Sequence, residues 1–221
     1  MAIKYLTFDC YGTLIDWKTG IETNFKKFFL KDKGGVLSTG IFSSYVVLEA
    51  KEEKAYKAYR DILTDTSLRL AENLGLEQSE TAARKFADSI THWPAFEDTA
   101  PALKELGRRG YKRIILSNID RNLLKETIKN NNLEVDDFIT AQDVKSYKPE
   151  KKHWITFLKS FKTRKEKVLH VANGIYHDIV PASELGLKTA WVNRYGEELP
   201  EDVKPSYVID RVSDLLDISE L

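Results

Sequence analysis

Sulfur is nearly absent from this sequence: its 221 residues include one cysteine, Cys10, and one methionine. A single cysteine excludes an intrachain disulfide framework. The four histidines, at 92, 153, 170 and 177, lack the close spacing of a structural zinc site. A charge bias is also missing, since 34 basic residues stand against 34 acidic ones. Without a basic surplus the chain has little to offer a phosphate backbone, so no nucleic-acid partner is expected. Nor is there a run of about 18 apolar residues, the length that crosses a bilayer as a helix. The N-terminal residues enter a strand-like stretch with no basic region and apolar leader before it, so we expect a cytoplasmic protein with no membrane partner.

What is present is an ordinary globular composition, 42% hydrophobic and 31% charged, on a length that suits a core domain carrying a smaller insertion. Lys4 to Asp9 form a short apolar run that ends where Gly12 permits a tight turn. Further apolar runs at Arg113–Leu116, Asp137–Thr140, Val168–Val171 and Thr189–Val192 alternate with helix-like segments near 99–109, 120–131, 150–162 and 175–186. The alternation predicts an α/β fold, a Rossmann-like parallel sheet with helices on both faces. Ligands of such sheets bind beyond the carboxyl ends of the strands, where Asp9, Ser117 and Asn173 fall. Residues 18–92 break the pattern and read as helices, with Tyr59, Leu63, Thr66, Leu70 and Leu74 on one face of one of them. We expect an inserted helical cap over 18–92 and a core made of 1–17 and 93–221. Pro94 interrupts any helix arriving from Phe86–Ile90, and Gly34-Gly35 and Gly40 mark loops within the cap.

Four short segments carry the chemistry. They are Phe8-Asp9-Cys10-Tyr11-Gly12-Thr13-Leu14, Leu116-Ser117-Asn118, Tyr147-Lys148-Pro149, and a late strand ending in Asn173 followed by Asp178. In this order the set resembles the haloacid dehalogenase-like hydrolase superfamily, and the likeness covers nearly all of the core. The resemblance implies that Asp9 attacks the substrate and forms a covalent ester, which splits one hard displacement into two easier steps. It makes Lys148 the cation that steadies Asp9 and the charge developing in the transition state. Ser117 and Asn118 would offer backbone N–H groups to a substrate carboxylate or phosphate, with helix capping by Asn118 or Asp120 as the alternative use of that turn. Asp178 would hold Lys148 or the hydrolytic water, or serve as an acid at a helix N-terminus. His177 is either a positioner or a buried structural histidine. Tyr11, Thr13, Asn173 and Trp154 complete the expected substrate-binding set.

Tyr11 discriminates among the branches. Phosphatases of this superfamily carry a second acid two positions after the nucleophile to protonate a departing alkoxide, and this chain has none there. A halide needs no proton, so the motif looks like the type II L-2-haloacid dehalogenase branch, which requires no cofactor. Magnesium would have only Asp9 and Asp178 as acidic ligands. The expected partner is a small-molecule carboxylate, and a homodimer is allowed. Two departures bear on the substrate: Lys33–Tyr59 contains no Arg, and Asn173 and Ile175 replace a characteristic Ser and Asn. Trp93-Pro94-Ala95-Phe96, Leu116 to Asn122 and Ala141-Gln142-Asp143-Val144 resemble a side branch that includes an azetidine-2-carboxylate hydrolase, an opener of strained carbon–nitrogen rings. The alternatives are a magnesium-dependent phosphatase for a small metabolite and a non-catalytic binding protein on the same scaffold. Cys10 is expected to pack beneath the loop. Trp17, Tyr45, Tyr56, Tyr59 and Trp154 are candidates to line an apolar pocket between cap and core, Trp154 foremost.

Overall fold

The computed structural model describes residues 2–30 and 40–219, so the Gly34-Gly35 loop lies outside the described residues. The first strand, β1 (Tyr5–Phe8), is buried at every position. Burial on both faces is why it reads as a continuous apolar run with no polar alternation. Four helices follow: α1 (Trp17–Phe25), continued by a π-helical turn over Lys26–Leu30, α2 (Ile41–Glu52), α3 (Tyr59–Asn73) and α4 (Glu80–Ser89). The alternating part then runs α5 (Thr99–Arg108), β2 (Lys112–Ser117), α6 (Arg121–Asn130), β3 (Asp137–Thr140), α7 (Ala141–Val144), α8 (Lys152–Ser160) and β4 (Val168–Ala172). It closes with α9 (Val180–Glu184), β5 (Lys188–Val192) and β6 (Tyr207–Ile209).

The six strands form one parallel sheet in the order β3-β2-β1-β4-β5-β6. The chain steps outward from β1 through β2 to β3, then crosses to the other side of β1 with β4. This reversal opens a crevice at the carboxyl ends of β1 and β4, the usual ligand position in such sheets. The covering helices are amphipathic: α5 buries Thr99, Ala102, Leu103 and Leu106, the i, i+3, i+4, i+7 stripe of a sheet-facing helix.

Two details differ from the expected elements. The helix expected over 175–186 is a π-helical turn, Ile175–Ile179, followed by α9. Pro181 lies in the first turn of α9, where its missing N–H costs nothing, so the regular helix starts there. β6 is a three-residue edge strand with mixed burial, too short to produce a periodic signal.

Helices α1 to α4 form a bundle inserted after β1. On α3, Tyr59, Leu63, Thr66 and Leu70 are buried as the stripe predicts, and Leu74 is partly so. The two chain passages between bundle and sheet run side by side: Asp16 N–H donates to Pro94 O at 2.8 Å and Phe96 N–H to Leu14 O at 3.1 Å. Asn131 clamps the second passage, accepting from Ala95 N–H at 2.8 Å and donating to Trp93 O at 3.1 Å. Trp93 itself is fully buried against Gly20 of α1, where a side chain would collide with the indole.

Candidate active site

Asp9 follows the last residue of β1, and Gly12, at φ +93°, turns the chain back beneath it. Left-handed backbone of this kind carries little penalty only for glycine. The turn lets the Thr13 hydroxyl donate to Asp9 Oδ2 at 2.8 Å while accepting from Asn173 N–H at 2.9 Å. Thr13 thereby ties the end of β4 to the end of β1. Arg194, beyond β5, fixes the same turn from outside through two bonds to Thr13 O, at 3.1 and 2.9 Å.

Lys148 is 2% exposed, and its ammonium bridges Asp9 Oδ1 at 2.7 Å and Asp178 Oδ1 at 2.6 Å, with Leu116 O as a third acceptor at 3.0 Å. A buried charge persists only when paired and hydrogen-bonded, and here three acceptors surround it. Asn118 sets the backbone of Lys148 by accepting from its N–H at 2.7 Å and donating to its O at 3.1 Å. Asn118 is therefore a clamp between two loops and not the cap of α6. Asp120 makes no side-chain cap either; it accepts from Arg60 N–H at 3.0 Å and ties bundle to sheet. Behind Asp178, His170 Nε2 lies 2.9 Å from its Oδ1 and His170 Nδ1 2.9 Å from the Thr7 hydroxyl.

The electrostatics follow from this geometry. Burial opposes charge on Lys148, but Asp178 and Asp9 outweigh it and hold the ammonium protonated above the usual lysine range. Burial also works against Asp178, yet Lys148 and His170 bring its pKa down to about 2. For Asp9 burial wins over Lys148, so its carboxyl ends above the ordinary aspartate value. Burial raises the Cys10 thiol well above its usual range, as expected of a packed residue beneath the loop.

A cavity of about 110 Å³ opens over Asp9. Its walls include Tyr11, Ser117, Asn118, Lys148, Asn173, His177 and Asp178 from the sheet side, together with Trp17, Glu49, Glu53 and Tyr59 from the inserted helices. Of the expected site residues, Thr13 stands behind Asp9 and the others just named line the cavity. Trp154 is the exception. It is fully buried among Tyr5, Ile114, Leu116 and Phe157, with its ring edge-on to His170 at 5.2 Å. It occupies the sheet-facing stripe of α8 with Phe157, so it supports the site from beneath and does not reach it. Tyr45 and Tyr56 are likewise absent from the cavity wall; Tyr45 backs Trp17, and Tyr56 lies against Tyr147. Tyr11 lines the cavity, but its hydroxyl is tied to Thr127 at 2.7 Å.

Glu49, Glu53, His170 and Arg194 were not anticipated from the sequence. A signal for the first two exists: Tyr45, Glu49 and Glu53 recur every fourth residue along one face of α2 and its C-cap. His177 is partly exposed, not buried as one reading allowed, and burial of its ring lowers its pKa and favours the neutral form.

Comparison with known proteins agrees with this architecture. The family model described as haloacid dehalogenase-like hydrolase matches residues 3–186. The (S)-2-haloacid dehalogenase of Pseudomonas putida is 24% identical over 96% of this chain and 95% of its own length. Pyrophosphatase PpaX of Bacillus cereus (strain B4264) is 29% identical over 99% of this chain and 97% of its own. The L-2-haloacid dehalogenase structure from Xanthobacter autotrophicus superposes with a TM-score of 0.85 at 20% identity, covering 96% of each chain, and so shares the fold. On the family match across most of its length, the chain belongs to the haloacid dehalogenase-like hydrolases.

Proposed function

We propose that this protein hydrolyses a small carboxylate-bearing molecule through a covalent ester on Asp9, without a metal, and that residues 18–92 act as the cap closing the site. The observation that carries this reading is the Lys148 ammonium, held between Asp9 and Asp178 at 2.7 and 2.6 Å. Magnesium demands a near-octahedral shell of oxygen ligands. Among the described residues, the two sheet-side acids of the cavity, Asp9 and Asp178, share a fixed positive charge, so the residues present do not fit that ion.

In the proposed reaction Asp9 Oδ displaces a leaving group from the carbon next to the substrate carboxylate. Thr13 and Lys148 hold the nucleophile in line, and the backbone beyond β2, at Ser117 and Asn118, receives the carboxylate. Water then attacks Cγ of the ester and restores Asp9. The relatives with dehalogenase names support a carbon–halogen bond as the one cleaved; only the resemblance of residues 93–96, 116–122 and 141–144 to the ring-opening side branch speaks for a strained carbon–nitrogen bond. The pyrophosphatase relative supports a second reading, hydrolysis of a phosphate bond in a small metabolite.

Asp9→Asn tests the assignment. The amide nearly keeps the shape of the side chain and loses its nucleophilic charge, so turnover should fall below detection while the melting transition is retained. Turnover at the wild-type rate in this variant would end the reading.

A further inference from the structure

Four carboxyl groups line the cavity, and they are not equivalent. Asp9 and Asp178 share Lys148, and Glu49 accepts from the Tyr59 hydroxyl. Glu53 alone among them lacks a close cation or phenol partner: its nearest basic atom is His177 Nε2 at 3.8 Å. It is the C-cap residue of α2, its N–H bonded to Glu49 O at 3.1 Å, at the negative end of the helix dipole where a carboxylate is disfavoured. At position 11, where an acid would protonate a leaving group, stands a tyrosine whose hydroxyl is bound to Thr127.

From this arrangement we propose that Glu53, carried into the cavity by the cap helix α2, is the catalytic proton donor to the leaving group, and that the bond broken therefore ends in a basic nitrogen or oxygen and not in a halogen. The proposal presupposes Asp9 as nucleophile. An amine substrate is bound with its nitrogen as the free base, its ammonium proton left in solvent. In the first step the Asp9 carboxylate forms a bond to substrate carbon, the carbon–nitrogen or carbon–oxygen bond breaks with its electron pair going to the leaving atom, and that atom takes the Glu53 proton. In the second, water adds to Cγ of the ester and gives one proton to the Glu53 carboxylate. Its other proton leaves with the product hydroxyl, and Asp9 returns ionised.

The surroundings keep that proton in place before reaction. Burial raises Glu53 well above the usual glutamate range, and the charge of Glu49 on the same helix adds to this. Asp178 across the cavity acts in the same direction, while Lys148 and Asn118 act against it. His177 is itself biased towards its neutral form by burial, and the Tyr147 phenol stands beside Glu53 with its own pKa raised.

The test uses Glu53→Gln with two probes, (S)-2-chloropropanoate and azetidine-2-carboxylate, together with infrared spectra of wild type and variant at neutral pH. A general acid contributes about 10²- to 10⁴-fold, so turnover of the cyclic amine should fall by at least about 100-fold and that of the chloride by far less. The difference spectrum should contain the carbonyl stretch of a protonated carboxyl lost with Glu53. Equal losses on both probes, or no lost carboxylic acid band, would overturn the proposal, and the spectrum decides even if neither probe is turned over. An inactive Asp9→Asn enzyme alongside equal losses in Glu53→Gln removes only the Glu53 assignment, whereas an active Asp9→Asn enzyme removes the nucleophile.

Discussion

At the scale of single residues, the groups around Asp9 were legible because each sits in a short ordered motif: Asp9 directly after β1, Lys148 in the loop after α7, Asp178 in the turn after β4. Asp9, Lys148 and Asp178 belong to segments whose spacing carries the information, and the sheet brings those segments together. Glu49 and Glu53 sit in no such segment; their spacing puts them on one face of α2 without saying what that face meets, and His170, although in β4, reads as one more buried strand residue. Trp154 was misplaced for a related reason: the position after the lysine motif was legible, but not the rotation of α8 that turns it under the sheet. Glu49 makes a measurable prediction. Burial raises its pKa from 4.5 to about 7, against the hydrogen bond from Tyr59. Between those values the unfolded chain releases a proton that the folded chain keeps, so stability declines as pH rises through this window, by roughly 3 kcal/mol. Urea midpoints at pH 5 and pH 8 should therefore differ more in wild type than in Glu49→Gln. Parallel losses in the two proteins would show that Glu49 is ionised in the fold.

At the scale of elements, continuous apolar runs announced the five longer strands, since a parallel sheet covered on both faces leaves no alternation to read. The break at Pro181 and the short β6 were not announced, because a three-residue strand and a π-helical turn are both shorter than the window over which periodicity is defined. The joint between α1 and the core rests on Gly20 and Trp93, where the indole occupies the space a Cβ would need. Gly20→Ala should cost about 1–3 kcal/mol through overpacking, despite the better helix propensity of alanine. Chemical denaturation reads this directly, and an unchanged or higher midpoint would mean that Trp93 moves aside freely.

At the scale of the whole molecule, the cavity exists only because two bodies meet over the sheet. The sheet side supplies Asp9, Lys148 and Asp178, and the inserted helices supply Trp17, Glu49, Glu53 and Tyr59. Arg60 N–H to Asp120 at 3.0 Å and the Tyr147 hydroxyl to Lys57 O at 2.7 Å join them at the rim. The helical character of the stretch after β1 was legible from the change of hydrophobic period, and Trp17 and Tyr59 were expected at the cavity wall, whereas Glu49 and Glu53 were not. With Lys148 placed between the two acids, turnover in excess EDTA should stay within about a factor of two of the untreated enzyme, since loss of a catalytic metal would remove several kcal/mol of barrier lowering. Activity abolished by chelation and restored by magnesium would favour the phosphatase reading.

The covalent ester on Asp9 is tested most directly by oxygen tracing in a single turnover, with enzyme in excess over substrate in ¹⁸O-labelled water. If Asp9 attacks, the first product molecule carries unlabelled oxygen from the carboxylate, and the label appears in Asp9 itself. If water attacks the substrate directly, the first product molecule is already labelled and Asp9 is not, and that result would contradict the account at its centre.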